Sequence, residues 1–238
     1  MSCMTPDERW LAAVWPFVRA QLPSPPATVL EVGCGPLGGF VPALLGDGYD
    51  AVGVDPEAPE APGYHRVEFE RHEPPRPVDG VVACTSLHHV ADPNDVLDRV
   101  GAGLVPGGVL VVVEWAWERF DEATARWCFA RLTPPAPAAE PGWLHRHRDE
   151  WAASGQPWEA YCRAWATEEG LHSGQAILRG LDARFDRRLC GFGPYFFADL
   201  GDTPRQTSRP RSTPGRSRRP ASGTPAGNAE VAGSNGLG

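Results

Sequence analysis

The chain contains no lysine. All 22 of its basic residues are arginine, and isoleucine occurs once, at Ile177. That bias points to GC-rich coding DNA and says little about activity. Long apolar runs are also missing. The longest strongly apolar stretch is 109–113, far short of the ~20 residues a membrane span needs. The opening MSCMTPDERW has two acids and no cationic leader before an apolar run, so neither a targeting segment nor a membrane partner is expected. The six cysteines, at 3, 34, 84, 128, 162 and 190, form no CxxC pair. Free thiols in a cytoplasmic setting are the expectation, ahead of a disulfide frame or a metal site. With 42% hydrophobic and 22% charged residues over 238 positions, a collagen, a coiled coil and a wholly disordered chain are excluded. The length suits one domain with a full core. A formal charge of −8 does not favour nucleic-acid binding.

Residues 201–238 differ in character from the rest. They lack Phe, Trp, Tyr, Ile and Met, and carry six arginines against Asp202 and Glu230. Their charge of +4 leaves −12 on the first 200 residues. Such a segment buries too little apolar surface to offset its ordering entropy, so a disordered Arg/Pro/Gly/Ser-rich tail is expected.

Before the tail, strand and helix signals alternate. Thr5-Pro6-Asp7-Glu8 has the form of a capping box. Trp10, Val14, Phe17 and Val18 follow on one helical face. Short apolar strands are expected at 28–32, 51–54, 67–69, 78–84 and 109–114, with helices at 40–45 and 95–104 between them. Continuous apolar strands interleaved with helices imply a doubly wound, mostly parallel α/β sheet buried on both faces. Ligands of such sheets bind beyond the carboxyl ends of the strands.

The segment VLEVGCGPLGG (29–39) carries the clearest chemical signal. Gly33 and Gly35 let the backbone turn sharply and approach a ligand closely. Asp55 stands 20 residues after Gly35, at the end of the second strand, where a carboxylate accepts hydrogen bonds from ribose hydroxyls. A nucleoside-bearing cofactor is the reading. Gly33-x-Gly35-x-x-Gly38 formally matches a dinucleotide fingerprint, which alone is a weak match. Glu31 argues against a pyrophosphate and for a ligand bearing a cationic amino or sulfonium group.

With VLEVGCGPLGG, VGVDPE, VDGVVACTSLHHVADP and LVPGGVLVVVEW in this order, the chain resembles the class I S-adenosylmethionine-dependent methyltransferases of small-molecule type over residues 27–115. The resemblance implies a Rossmann-like methyltransferase fold, S-adenosyl-L-methionine as cofactor and in-line methyl transfer to a small molecule. It further implies that Glu31, Gly33 and Gly35 hold the methionine portion, Asp55 the ribose, and an acid after the third strand the adenine. Glu70 is preferred for that last place over Glu73. Ser86 and Leu87 would line the cofactor, and His88 or His89 would act as base or as lining. A nicotinamide-dependent oxidoreductase and a degenerate binding protein are the alternatives. No Tyr-x-x-x-Lys pair supports the former, since lysine is absent.

The expected organisation is an N-terminal helix or lid at 1–26, a methyltransferase domain at 27–200 and the tail. Residues 116–183 read as a substrate-side helical insertion. With the first helix and the His88 loop, it is expected to frame the substrate pocket. Seven of the nine tryptophans, at 115, 117, 127, 143, 151, 158 and 165, fall at or just before this stretch. They suit either an aromatic wall or helix packing. His145-Arg146-His147-Arg148 reads as a solvated helix start. A sixth strand is expected at 184–192. The tail offers no further apolar strand, so the last strand of the sheet is expected to be missing, through a shifted reading frame near Gly201 or a natural truncation. The oligomeric state is not legible.

Overall fold

In a computed structural model, residues 4–132, 141–200 and 228–234 are described, the last segment by its backbone alone. Helix α1 (Pro6–Gln21) starts from the expected capping box: the Glu8 amide donates to Thr5 Oγ1 at 3.2 Å, and the Thr5 amide to Glu8 Oε2 at 2.7 Å. Strand β1 (Thr28–Val32), helix α2 (Val41–Gly46), strand β2 (Asp50–Val54), the two-residue strand β3 (Tyr64–His65) and strand β4 (Val78–Cys84) follow. Helix α3 (Pro93–Gly103) leads into strand β5 (Leu104–Glu114). Then come α4 (Glu122–Phe129), α5 (Trp143–Ser154), α6 (Trp158–Glu168), α7 (Gly174–Asp182), strand β6 (Asp186–Gly193) and strand β7 (Asn228–Ser234).

The seven strands form one sheet in the order β3-β2-β1-β4-β5-β7-β6, and every adjacent pair is parallel. The chain reverses its winding between β1 and β4, so the switch point lies at the carboxyl ends of those strands. One face packs Leu30, Val81, Leu110 and Val112 against Val96, Leu97 and Val100 of α3 and Ile177 and Leu181 of α7. The other packs Val29, Val82 and Val111 against Val14 and Val18 of α1 and Val41 and Leu44 of α2. Burial of each such side chain contributes ~1.5–3 kcal/mol, which is why the apolar runs of β4 and β5 are continuous. Helix α1 is thus a layer of the core. Trp115, Phe120, Trp158 and Phe196 form a third cluster with α4–α6 around it.

Three expectations are corrected here. The third strand lies at Tyr64–His65, and Phe69 instead begins a 3-10 turn with its ring in the core. The 145–148 segment does lie in the first turns of α5, with Arg146 exposed and His145 and Arg148 half-buried, but His147 is buried among aromatic rings, its Nδ1 at 2.5 Å from the Tyr161 hydroxyl. The sheet does not end at β6. Asn228–Ser234, inside the expected disordered tail, enters between β5 and β6. The backbone of β7 pairs with β5 on one side and β6 on the other, so neither of those strands is left with that side open. The remainder of the tail lies outside the described residues. Among the described residues, no helix is long and apolar enough to cross a membrane.

Candidate active site

A cavity of about 870 Å³ opens at the switch point, within the ~300–1,000 Å³ typical of small-molecule sites. Its inner wall is the turn after β1. The Gly33 amide donates to the Val54 carbonyl at 2.8 Å, which ties this turn to the end of β2. Gly33 has φ +78°, and a Cβ there would collide with Ser86. Gly35 has φ +62°, and a Cβ there would point into open space beside the cavity.

Asp55, one residue beyond β2, faces this turn. Its Oδ2 accepts from the Gly35 amide at 3.0 Å and its Oδ1 from the Glu57 amide at 2.7 Å. Each carboxylate oxygen retains a lone pair for a further donor. Two adjacent parallel strands therefore present a fixed acceptor pair beside a side-chain-poor backbone. Glu70, in the 3-10 turn Phe69–Arg71, lines the same cavity, whereas Glu73 lines a separate hollow.

Glu31 forms part of the floor and is wholly buried. Both its oxygens accept from the Phe40 amide, at 3.0 and 2.8 Å, and a Cβ on Gly39 would collide with them. Its carboxylate is thus already engaged in closing the glycine loop onto β1. Burial pushes its carboxyl up to about 8, against the lowering effect of the Phe40 and Val41 amides. The folded protein therefore retains a proton that the unfolded chain loses above its ordinary value. The stability this gives is full below about pH 4.5 and is lost as pH rises through about 8. In melting curves, Glu31→Gln is expected to gain stability relative to the parent protein between pH 5 and pH 8.5. A flat difference would show that the carboxyl is not shifted.

The loop after β4 forms the next wall. Thr85 has φ +49°, a left-handed conformation costly for a β-branched residue. Its amide is held by the Val113 carbonyl at 2.7 Å. Glu114, the last residue of β5, accounts for the rest of the loop. Its Oε1 accepts from the Ser86 and Leu87 amides at 2.7 and 2.6 Å, and its Oε2 lies 2.6 Å from His88 Nδ1. Both Glu114 and His88 are buried. The sequence reading passed over Glu114, although an acid ending the run VLVVV was a visible signal.

This clasp corrects two assignments. His88 is turned onto Glu114 and is not among the residues lining the cavity. Leu87 is fully buried in the core cluster and does not line the cavity. Ser86 and His89 do line it. Burial, and next the neighbouring His88, lower the His89 pKa, so its imidazole is neutral near pH 7 and able to accept a proton.

The outer wall comes from two places. One is the face of α1 with Asp7, Trp10 and Leu11. The other follows β6, with Tyr195, Ala198 and Asp199. Among the described residues, none of 116–183 lines the cavity, and 195–199 stands where the insertion wall was expected. The insertion's tryptophans pack, and Trp10 alone among the nine lines the cavity. Cys34, Cys84, Cys128, Cys162 and Cys190 are free thiols. Among the described residues, no group of three His, Cys, Asp or Glu is placed to hold a metal ion.

A glycine turn and strand-end carboxylate at the switch point of a doubly wound sheet define a nucleotide-type cofactor site. The sequence profile of the family described as "Methyltransferase domain" matches residues 8–163, and the chain belongs to that family. Among solved structures, an S-adenosylmethionine-dependent methyltransferase from Mesorhizobium loti is 25% identical, over 47% of this chain and 57% of that one, with a TM-score of 0.39. The N-methyltransferase NodS of Bradyrhizobium japonicum, solved with S-adenosyl-L-homocysteine, is 16% identical over 76% of each chain, with a TM-score of 0.43. The chain thus spans little more than half the length of the Mesorhizobium protein. A search of curated proteins finds no match.

Proposed function

We propose that the protein is an S-adenosylmethionine-dependent methyltransferase acting on a small-molecule acceptor. The observation that carries this reading is the carboxylate of Asp55, held by the Gly35 and Glu57 amides at the rim of the 870 Å³ cavity. Asp55 would accept the two ribose hydroxyls. The backbone at Gly33 and Gly35 would lie against the methionine portion, and Glu70 would stand near the adenine. Glu31 would hold the loop in shape through the Phe40 amide. When bound, the sulfonium supplies an activated methyl group, and the protein has to align the acceptor with it and exclude water. Ser86 and His89 both line the cavity. We assign His89, neutral near pH 7, to take up the proton released on transfer.

Calorimetry with S-adenosylmethionine, S-adenosylhomocysteine and NAD tests this reading. Saturable binding of the first two without the third is the expected result. Binding of NAD alone would assign the site to hydride transfer.

A further inference from the structure

His89 is the one histidine among the described residues that lines the cavity, and none of those residues hydrogen-bonds to its ring. Its place is therefore set by the residues on either side. The His88 ring is held by Glu114 and lies 4.1 Å from the His89 ring, centre to centre. The other restraint comes from far along the chain. His172, in the connection between α6 and α7, donates its amide to the His88 carbonyl at 3.0 Å. Its imidazole Nε2 lies 2.8 Å from the Val90 carbonyl. A carbonyl only accepts, so Nε2 carries the proton and donates. One residue thus grips the backbone just before and just after His89.

His172 is itself braced. Helix α7 packs Ile177 and Leu181 into the core. At its start, the Gly174 and Gln175 amides donate to the two carboxylate oxygens of Glu118, at 3.1 and 2.8 Å. A Cβ on Gly174 would collide with Ala116, so the helix start lies directly on the segment after β5. Ser173 caps the helix by accepting from the Ala176 amide at 3.2 Å. These bonds satisfy donors that every helix start leaves open. They do not account for an imidazole that reaches across to Val90, because the helix start is complete without it. The clamp is anchored two residues beyond Glu114, which holds the same loop from the other side.

We propose that His172 is a positioning residue for the proton-accepting histidine: by clamping residues 88 and 90 it presents the His89 ring at the cavity wall. The inference rests on the methyltransferase reading above and adds a residue to its proton-accepting step. A base works only within hydrogen-bond reach of the proton it takes, and a displacement of about 1 Å already costs rate. The proton shed by the acceptor passes to His89, and His172 takes no part in that transfer. Through His172, the 116–183 insertion bears on the chemistry although none of its described residues lines the cavity.

The test follows the seven histidines by NMR in the full chain, labelled with 15N in histidine and saturated with S-adenosylhomocysteine. The His89 signal is identified by its loss in His89→Gln. The titratable groups acting on the His89 ring are His88, Glu114 and Glu169, and none is altered in the variants compared. In the parent, His89 is expected to titrate below the ordinary histidine value, and His172 to show the Nε2–H tautomer at pH 9. His172→Phe keeps a ring and loses the donor. The loop can then turn His89 toward water, and its midpoint is expected to rise by about half a pH unit or more. His172→Gln keeps an amide donor near the place of Nε2 and is expected to retain the parent midpoint. Both should leave S-adenosylhomocysteine affinity within about twofold, which also shows that they are folded. A His89 midpoint unchanged in His172→Phe would overturn the proposal while leaving the methyltransferase reading in place. So would the Nδ1–H tautomer of His172 in the parent, a result that depends on no variant. A parent protein that takes up no S-adenosylhomocysteine removes both.

Discussion

Asp55→Ala is expected to weaken S-adenosylhomocysteine binding about 100-fold, measured by calorimetry, with only a small change in melting temperature. The carboxylate would make two charge-assisted hydrogen bonds to the ribose. Hydrogen bonds to charged groups contribute ~1.5–3 kcal/mol each, and every ~1.4 kcal/mol is a factor of ten. In the ligand-free protein the same carboxylate holds only the Gly35 and Glu57 amides, at a half-buried strand end where water can replace it. Asp55→Asn keeps the shape and loses the charge, so its affinity should fall between parent and alanine variant. Unaltered affinity in Asp55→Ala would place the sugar elsewhere and undo the assignment of this end of the cavity.

The second large effect is on stability. Glu114→Ala removes a buried carboxylate that accepts from the Ser86 and Leu87 amides and contacts His88 Nδ1. It also accepts from the Trp115 amide at 3.2 Å. Removing one partner of a buried charged network costs ~3–5 kcal/mol because the others are left without a partner. For a chain of this size that corresponds to a fall of roughly 10 °C in melting temperature. The loop after β4 should loosen first, so hydrogen exchange at Ser86 and Leu87 should rise before that of the sheet. Glu114→Gln retains an acceptor and should lose about half as much. A melting temperature unchanged in Glu114→Ala would mean that water or a rearranged loop replaces the carboxylate.

The parts legible in the sequence are those whose chemistry is local. Strands 28–32 and 78–84 coincide with the residues observed, because continuous apolar runs mark strands buried on both faces. The Gly33–Gly35 turn and Asp55 were legible for a related reason: tight turns need glycine, and a carboxylate ending one strand adjoins the turn ending its neighbour. What remained hidden depends on contacts across long separations. Nothing in His88-His89 tells which imidazole faces the cavity, because that is decided by Glu114, 26 positions away. The substrate wall was expected from the 116–183 insertion on the strength of the family resemblance, but the insertion's rings bury one another and 195–199 lines the cavity. The strand at 228–234 reads NAEVAGS, with one β-branched residue, so its identity comes from the slot it fills.

That slot gives the acceptor end a late assembly. Among the described strands, β6 pairs only with β7. Strand β6, which leads into the turn with Tyr195 and Asp199, therefore takes its place in the sheet only once a segment that begins 35 residues beyond its own end has paired alongside β5. Closing so long a connection carries an entropic cost that local pairing avoids. During synthesis, the β1 and β2 segments and their glycine turn are all made before the 195–199 wall and before the strand that pairs with β6.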